Sequence, residues 1–215
     1  MAERAVLFDL DGTLADTAPD LGAALNRLRK DQGRAALPIE QIRPFASAGA
    51  RGLVQLGFGI GPGDTDYPAL REAFLEIYAE TVCADTKLFP GMSALIAALG
   101  ARAIAWGIVT NKATRFTDRI VAGLGLAPDC VVCGDSTPHL KPHPASLLRA
   151  AELLALPPSS CWYVGDDLRD MQAARAAGMR PVAVQWGYHH PDSGRPDAWQ
   201  AEAVIERPGD LIRLL

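Results

Sequence analysis

The chain is predicted to be an α/β protein: a parallel sheet covered by helices on both faces, with an all-helical unit inserted after the first strand. Three observations carry this expectation. Ala5-Val6-Leu7-Phe8 is a short apolar run that stops at an acidic, glycine-broken segment, Asp9-Leu10-Asp11-Gly12-Thr13-Leu14. Beyond residue 100, apolar runs alternate with helical stretches rich in alanine and leucine, the pattern of a sheet buried on both sides. Between these two parts the spacing stays helical, with no clear alternating strand.

Taken in order, Asp16-Thr17-Ala18-Pro19-Asp20 reads as a helix start, with Thr17 as the cap, Pro19 in the first turn and Asp20 complementing the helix dipole. Leu21, Leu25 and Leu28 recur at helical spacing and Gly33 is the stop. Residues 57–68, rich in Gly, Pro and Asp, read as a loop, and a second helix follows with Leu70, Phe74, Ile77 and Tyr78 on one face. The later strands are Ala103 to Val109, Val131-Val132, Cys161 to Val164 and Pro181 to Val184, with helices over Pro144–Leu154 and Arg169–Ala177. This places a core over residues 1–15 and 85–215 and a helical unit over 16–84.

The chain has 215 residues, 49% of them hydrophobic and 21% charged, enough for a sizeable core and unlike a disordered chain. A net charge of −4 argues against nucleic acid or an anionic membrane as partner. No apolar stretch approaches the ~20 residues that cross a bilayer, and no basic leader with a long apolar run marks export. A cytoplasmic protein, monomeric or homodimeric, is expected. Cys130-Val131-Val132-Cys133 has the spacing of a redox or zinc pair. Without a second pair it reads as core strand, with Cys as a small hydrophobe. His189-His190 reads as a surface turn rather than a metal pair, and His143 is left open between the site and the surface.

Ligands of open α/β sheets bind beyond the carboxyl ends of the strands. Three strand ends here are polar: Asp9 and Asp11, Thr110 and Asn111, Asp166 and Asp167. At period-2 spacing Asp9 and Asp11 are expected to point the same way, and such a pair needs a cation or proton to offset its repulsion. Phosphoryl transfer accounts for the set. Asp9 is the candidate nucleophile and Asp11 the acid/base that protonates the leaving oxygen and then activates water. Mg²⁺ finds hard oxygen ligands in Asp9, the backbone carbonyl of Asp11, and Asp166. Thr110 and Asn111 suit phosphate oxygens, and Lys141 neutralises charge on nucleophile and phosphoryl group. Asp170 either supports the metal or holds Lys141.

In order, Asp9-Leu10-Asp11-Gly12-Thr13, Thr110-Asn111, Lys141-Pro142 and Gly165-Asp166-Asp167-Leu168-Arg169-Asp170 resemble the four motifs of the haloacid dehalogenase-like hydrolases over essentially the whole chain. The resemblance implies a Rossmann-like core, Mg²⁺-dependent phosphatase chemistry, and the same roles for Asp9, Asp11, Thr110, Lys141 and Asp166. Asp167 and Asp170 are implied as supporting residues. The helical unit resembles the small cap of the family's phosphoglycolate phosphatase-like branch, which closes over small phosphorylated metabolites. Within it Arg51, in Ser47-Ala48-Gly49-Ala50-Arg51-Gly52, is a candidate substrate contact. Trp106 to Lys112 and Trp186-Gly187-Tyr188 also resemble phosphatases of N-acetylmuramic acid 6-phosphate. A sugar phosphomutase and a non-catalytic phosphate-binding protein are the alternatives.

Overall fold

A computed structural model describes residues 3–215. β1 (Ala5–Phe8) is fully buried and central in a six-stranded parallel sheet. β2 (Ala15–Asp16) follows, then α1 (Ala18–Asp31), α2 (Ile39–Ile42), α3 (Gly49–Phe58) and α4 (Tyr67–Thr81). β3 (Lys87–Leu88) pairs antiparallel with β2 in a separate two-stranded ribbon. The chain then alternates through α5 (Met92–Ala101), β4 (Ala105–Val109), α6 (Thr114–Gly123), β5 (Cys130–Val132), α7 (Ala145–Leu153), β6 (Cys161–Gly165), α8 (Leu168–Ala177), β7 (Arg180–Val184) and β8 (Ala203–Ile205). The order β5-β4-β1-β6-β7-β8 sends the chain one way from β1 to reach β4 and the other way to reach β6. The carboxyl end of β1 therefore lies at the point of reversal where such sheets bind ligands.

One core holds both parts together. Val6, Phe8, Ile108, Val164 and Val182 from the sheet share an apolar cluster with Leu21, Leu25, Leu53, Phe74 and Tyr78 of the inserted helices. Ala5, Leu7, Val109 and Tyr163 on the opposite side pack on α7 and α8. The predicted α/β sheet with its helical insertion is thus present, with a strand, β8, that carried no clear signal in its three residues.

Four local expectations change. The loop expected over 57–68 begins later, because α3 runs to Phe58 and ends at Gly59 in the left-handed conformation (φ 74°). Gly57 is no helix breaker: a Cβ there would lie 2.7 Å from Leu25 Cδ1, so the missing side chain lets α3 pack closely on α1. The β2–β3 ribbon at the junctions of the helical unit was not expected; two-residue strands carry no periodicity to read. Thr17 does not cap α1, and makes no side-chain cap hydrogen bond. The N–H groups of Thr17 and Ala18 instead donate to the Tyr188 hydroxyl, at 2.7 and 2.9 Å, leaving the Thr17 hydroxyl for the site. Asp20 does more than complement the dipole. It is buried and accepts from the backbone N–H groups of Asp85 and Thr86 (2.8 and 3.0 Å) and from the Thr86 hydroxyl (2.6 Å), fastening the start of the helical unit to its return.

Candidate active site

The acidic residues after β1 are placed by a turn that only glycine fits. Gly12 has φ 87°, and a Cβ there would lie 2.2 Å from Asp166 Oδ2, so this turn and the end of β6 approach as closely as backbone allows. Asp9 and Asp11 both face one cavity of about 570 Å³ between the sheet end and the inserted helices. Each of the two also meets a lysine. Asp9 accepts from Lys141 at 2.8 Å. Asp11 accepts from Lys112 at 2.7 Å and from the Thr17 hydroxyl at 2.5 Å through the same Oδ1.

Lys141 is fully enclosed. Its ammonium reaches Asp9 and Asp170 at 2.8 Å and the Tyr163 hydroxyl at 2.7 Å, so all three protons have partners. Burial works against its charge, but Asp170 and Asp9 outweigh it and raise its pKa above the usual lysine value. Asp170 thus holds Lys141, one of the two expected roles, and belongs as well to a carboxylate triad. Asp9, Asp166 and Asp170 each place an oxygen within 4.8 Å of the others, all buried. Asp170 is fixed by the capping box of α8: Asp167 accepts from the Arg169 N–H, and Asp170 accepts from the Asp167 N–H at 3.1 Å. Asp167 is bound further by the Arg169 side chain at 2.8 Å, a structural role.

Lys141 pairs with two of the three carboxylates, Asp9 and Asp170, and Asp166 has no cation beside it among the described residues. Burial pushes the Asp9 carboxyl up; Lys141 pulls it down, while Asp170 and Asp11 add to the rise, leaving it at about 7 instead of 3.8. Asp166 is driven well above the carboxylate range by burial and then by Asp9 and Asp170, against the bonds donated by the Tyr188 N–H and the Thr13 hydroxyl. Such a cluster, all hard oxygen donors with uncompensated charge, is the donor set a divalent cation such as Mg²⁺ requires. The Asp11 side chain stands outside the triad, consistent with a contribution through its backbone carbonyl, which accepts from Ser47 Oγ at 3.4 Å.

Thr110 is buried at the end of β4 and lines the cavity. Its neighbour departs from the expected role. The Asn111 amide is committed to the backbone of Lys141, accepting from its N–H at 2.9 Å and donating to its carbonyl at 3.1 Å. Asn111 therefore positions the lysine loop instead of offering its side chain to phosphate. Arg51 lies exposed on α3 and lines the cavity, with no ion pair among the described residues. His143 is outside the constellation: its Nδ1 accepts from the Ala145 N–H near the surface. Cys130 and Cys133 are free thiols in the core, and burial pushes Cys130 up to about 12.

Several functional neighbours escaped the sequence reading. Lys112 follows Thr110-Asn111 directly, and its place as third polar residue after a strand was the available signal. Burial opposes its charge, but Asp11 and then the Tyr78 phenol raise its pKa above the ordinary value. Tyr163 lies inside an apolar run, where nothing distinguishes a core tyrosine from one whose hydroxyl bonds a buried lysine. Tyr188 donates from its N–H to Asp166 and also receives the first N–H groups of α1.

A parallel sheet reversing at a strand that ends in a buried aspartate, with a lysine from the loop after β5 and carboxylates from the end of β6 and α8 converging on it, is the arrangement of a hydrolase of phosphate esters that works from the sheet's carboxyl edge. A family model for haloacid dehalogenase-like hydrolases matches residues 3–178, and the chain belongs to that family. It is 41% identical over 217 residues to an N-acetylmuramic acid 6-phosphate phosphatase of Pseudomonas putida, covering 100% of this chain and 97% of that one. It is also 41% identical over 216 residues to a phosphoglycolate phosphatase of Xylella fastidiosa, covering 98% and 92%. Among solved structures, one from Haemophilus somnus described as a predicted phosphoglycolate phosphatase superimposes with a TM-score of 0.85 at 25% identity, covering 98% of this chain and 97% of that one. The protein is a phosphoric monoester hydrolase. No helix among its described residues is long and apolar enough to cross a membrane.

Proposed function

We propose that the protein is a Mg²⁺-dependent phosphatase that cleaves a small phosphomonoester through an aspartyl-phosphate on Asp9. The convergence of Asp9, Lys141, Asp166 and Asp170 at one strand end is the observation that carries this reading. Mg²⁺ would be held by Asp9, Asp166 and the backbone carbonyl of Asp11, and would supply positive charge that offsets the phosphoryl oxygens. Lys141 holds one oxygen of Asp9, which leaves the other to bond phosphorus while the ester oxygen departs. Asp11 gives that oxygen a proton, then takes one from the water that attacks phosphorus and restores Asp9. Thr110 and the backbone beyond β4 receive the phosphoryl oxygens.

In this reading residues 16–84 act as a cap over a core of 1–15 and 85–215, and Arg51 meets the substrate beyond the phosphoryl group. Two relatives' names supply the candidate substrates, N-acetylmuramic acid 6-phosphate and phosphoglycolate. A cavity of about 570 Å³ is in the range that encloses ligands well above two carbons in size, which favours the sugar phosphate. The setting is taken to be the cytoplasm.

The test is phosphate release with Mg²⁺ from both candidates and from common sugar phosphates, by wild type and Asp9→Asn. Release by the wild type and none by the variant is expected. Isomerised hexose phosphate with little release would point to a mutase, and an inert wild type to a phosphate-binding protein. Arg51→Ala should weaken the natural substrate far more than p-nitrophenyl phosphate; equal losses would remove Arg51 from substrate recognition.

A further inference from the structure

Every acidic residue lining the cavity (Asp9, Asp11, Asp167 and Asp170) belongs to the sheet end, where Lys112, Lys141 and Arg169 pair with them, while the helical side and the start of α6 bring arginines without acidic partners across the cavity. Arg71, Phe74, Leu75 and Tyr78 all line the cavity and recur on α4 at the i, i+3, i+4, i+7 spacing of a single helix face. Opposite them, on α6, stand Arg115 and Phe116. The nearest carboxylate to Arg71 is Glu72 at 4.0 Å. Arg115 forms no ion pair among the described residues and lies over the Phe116 ring at 4.6 Å.

Tyr78 is the anomaly of this wall. It is 1% exposed, yet its hydroxyl meets no hydrogen-bond partner. The ring is held on both sides, parallel to Phe74 (centroids 6.3 Å, interplanar 5°) and tilted against Phe116 at 5.1 Å. The Lys112 ammonium sits 5.0 Å from its centroid. Native proteins rarely leave a buried hydroxyl orphaned, and such groups call for a ligand or water that completes them. A buried phenol on a wall that also carries the Arg71 and Arg115 guanidinium forks, with Phe74 and Phe116 packed on its ring, matches a planar anion attached to an apolar-faced ring.

We propose that Tyr78, Arg71 and Arg115 form a second subsite of the cavity that receives a carboxylate carried by a sugar-sized substrate, remote from its phosphoryl group. The subsite lies where the inserted helices meet the core, so it contacts only substrates long enough to span from the Asp9 end to α4. It rests on the phosphatase reading above for what occupies the other end, and selects among phosphomonoesters by the distal charge.

The experiment compares two esters that differ by the 3-O-lactyl ether bearing that carboxylate: N-acetylmuramic acid 6-phosphate and N-acetylglucosamine 6-phosphate, which lacks it. Wild type, Tyr78→Phe and the double variant Arg71→Ala/Arg115→Ala are assayed for phosphate release. Loss of a charge-assisted hydrogen bond is expected to lower kcat/KM for the carboxylated sugar roughly tenfold to a hundredfold, and for the neutral one less than about twofold. Tyr78→Phe should at the same time raise Tm, since it removes an unpartnered buried hydroxyl; a merely structural tyrosine would lower Tm and leave the preference intact. Equal handling of both sugars by the wild type, or equal losses on both in the variants, overturns the subsite. Should the wild type hydrolyse neither sugar ester, the phosphatase reading is judged separately on phosphoglycolate. The subsite is then decided by saturation-transfer NMR with phosphate-free N-acetylmuramic acid. Transfer in the wild type that disappears in the double variant supports it, and no transfer in the wild type overturns it.

Discussion

Asp9→Asn should abolish turnover and yet make the metal-free protein more stable at neutral and alkaline pH. The Asp9 carboxyl is buried among Asp166, Asp170 and Asp11 and is raised to about 7 from 3.8. A carboxyl raised on folding keeps its proton in the folded state over a range in which the unfolded chain has already lost it. Fewer protons on the unfolded chain mean that stability falls as pH climbs. The cost is absent below about pH 4, grows between there and pH 7, and is complete above. At 1.36 kcal/mol per pH unit, the interval from 3.8 to about 7 amounts to about 4 kcal/mol. That is a large share of the ~5–15 kcal/mol by which domains are stable. Asparagine keeps the shape, carries no charge, and leaves Lys141 its bond to Asp170. Urea unfolding in chelator at pH 4.5 and pH 8 measures this. The variant should match the wild type near the lower pH and exceed it by up to about 4 kcal/mol at the higher one, with Mg²⁺ restoring wild type far more than variant. A gain independent of pH, or a variant less stable at pH 8, would refute the account of the acidic cluster.

Other substitutions test the supporting structure. Lys141→Met strands Asp9 and Asp170 without their shared cation; it should cost about 3–5 kcal/mol at pH 8 in chelator, with most of the loss recovered at pH 5, by urea titration. Asn111→Ala removes two hydrogen bonds to the backbone of Lys141 and should lower kcat with little change in KM, at a cost of about 1–3 kcal/mol in stability; an unchanged kcat would remove its positioning role. Tyr188→Phe leaves the N–H groups of Thr17 and Ala18 without their acceptor and should destabilise by about 1–3 kcal/mol, seen as a lower urea midpoint.

What the sequence made legible is local in the chain. Asp9, Thr110 and Asp166 each follow an apolar run directly, so a strand and its polar end are read together. Lys141 was legible through Lys141-Pro142, which falls in order between the polar ends of two apolar runs and supplies the cation that phosphoryl chemistry needs. The residues that bind these groups to one another are not local. Tyr163 is an aromatic inside a buried strand, Tyr188 lies in the loop after β7, and Lys112 meets an aspartate 101 positions earlier. Asp9 and Asp11 face one cavity as their spacing suggested, although β1 ends at Phe8 and Gly12 turns the chain, with Ala15 returning its carbonyl to the Gly12 N–H at 3.0 Å. The expected loop over 57–68 was misjudged because glycine marks both turns and close packing, and only the neighbour, Leu25 at Gly57, tells which.

The attachment of the inserted helices bears directly on the chemistry. Asp20 ties the first helical turn to Asp85 and Thr86, where the chain returns. Tyr188 ties the same turn to β7's loop, and its own N–H holds Asp166. Thr17, between these fastenings, gives its hydroxyl to Asp11. The start of α1 is thus bonded to the acid/base carboxylate on one side and, through one tyrosine, to a carboxylate of the triad on the other. Arg43, on the helical side, adds an ion pair to Asp16 at 2.8 Å, and Asp16 also accepts from the Tyr188 hydroxyl at 2.9 Å. The orientation of Asp11 is therefore coupled through Thr17 to the start of α1, which the bonds of Asp20 and Tyr188 fasten to the return of the chain and to the loop after β7.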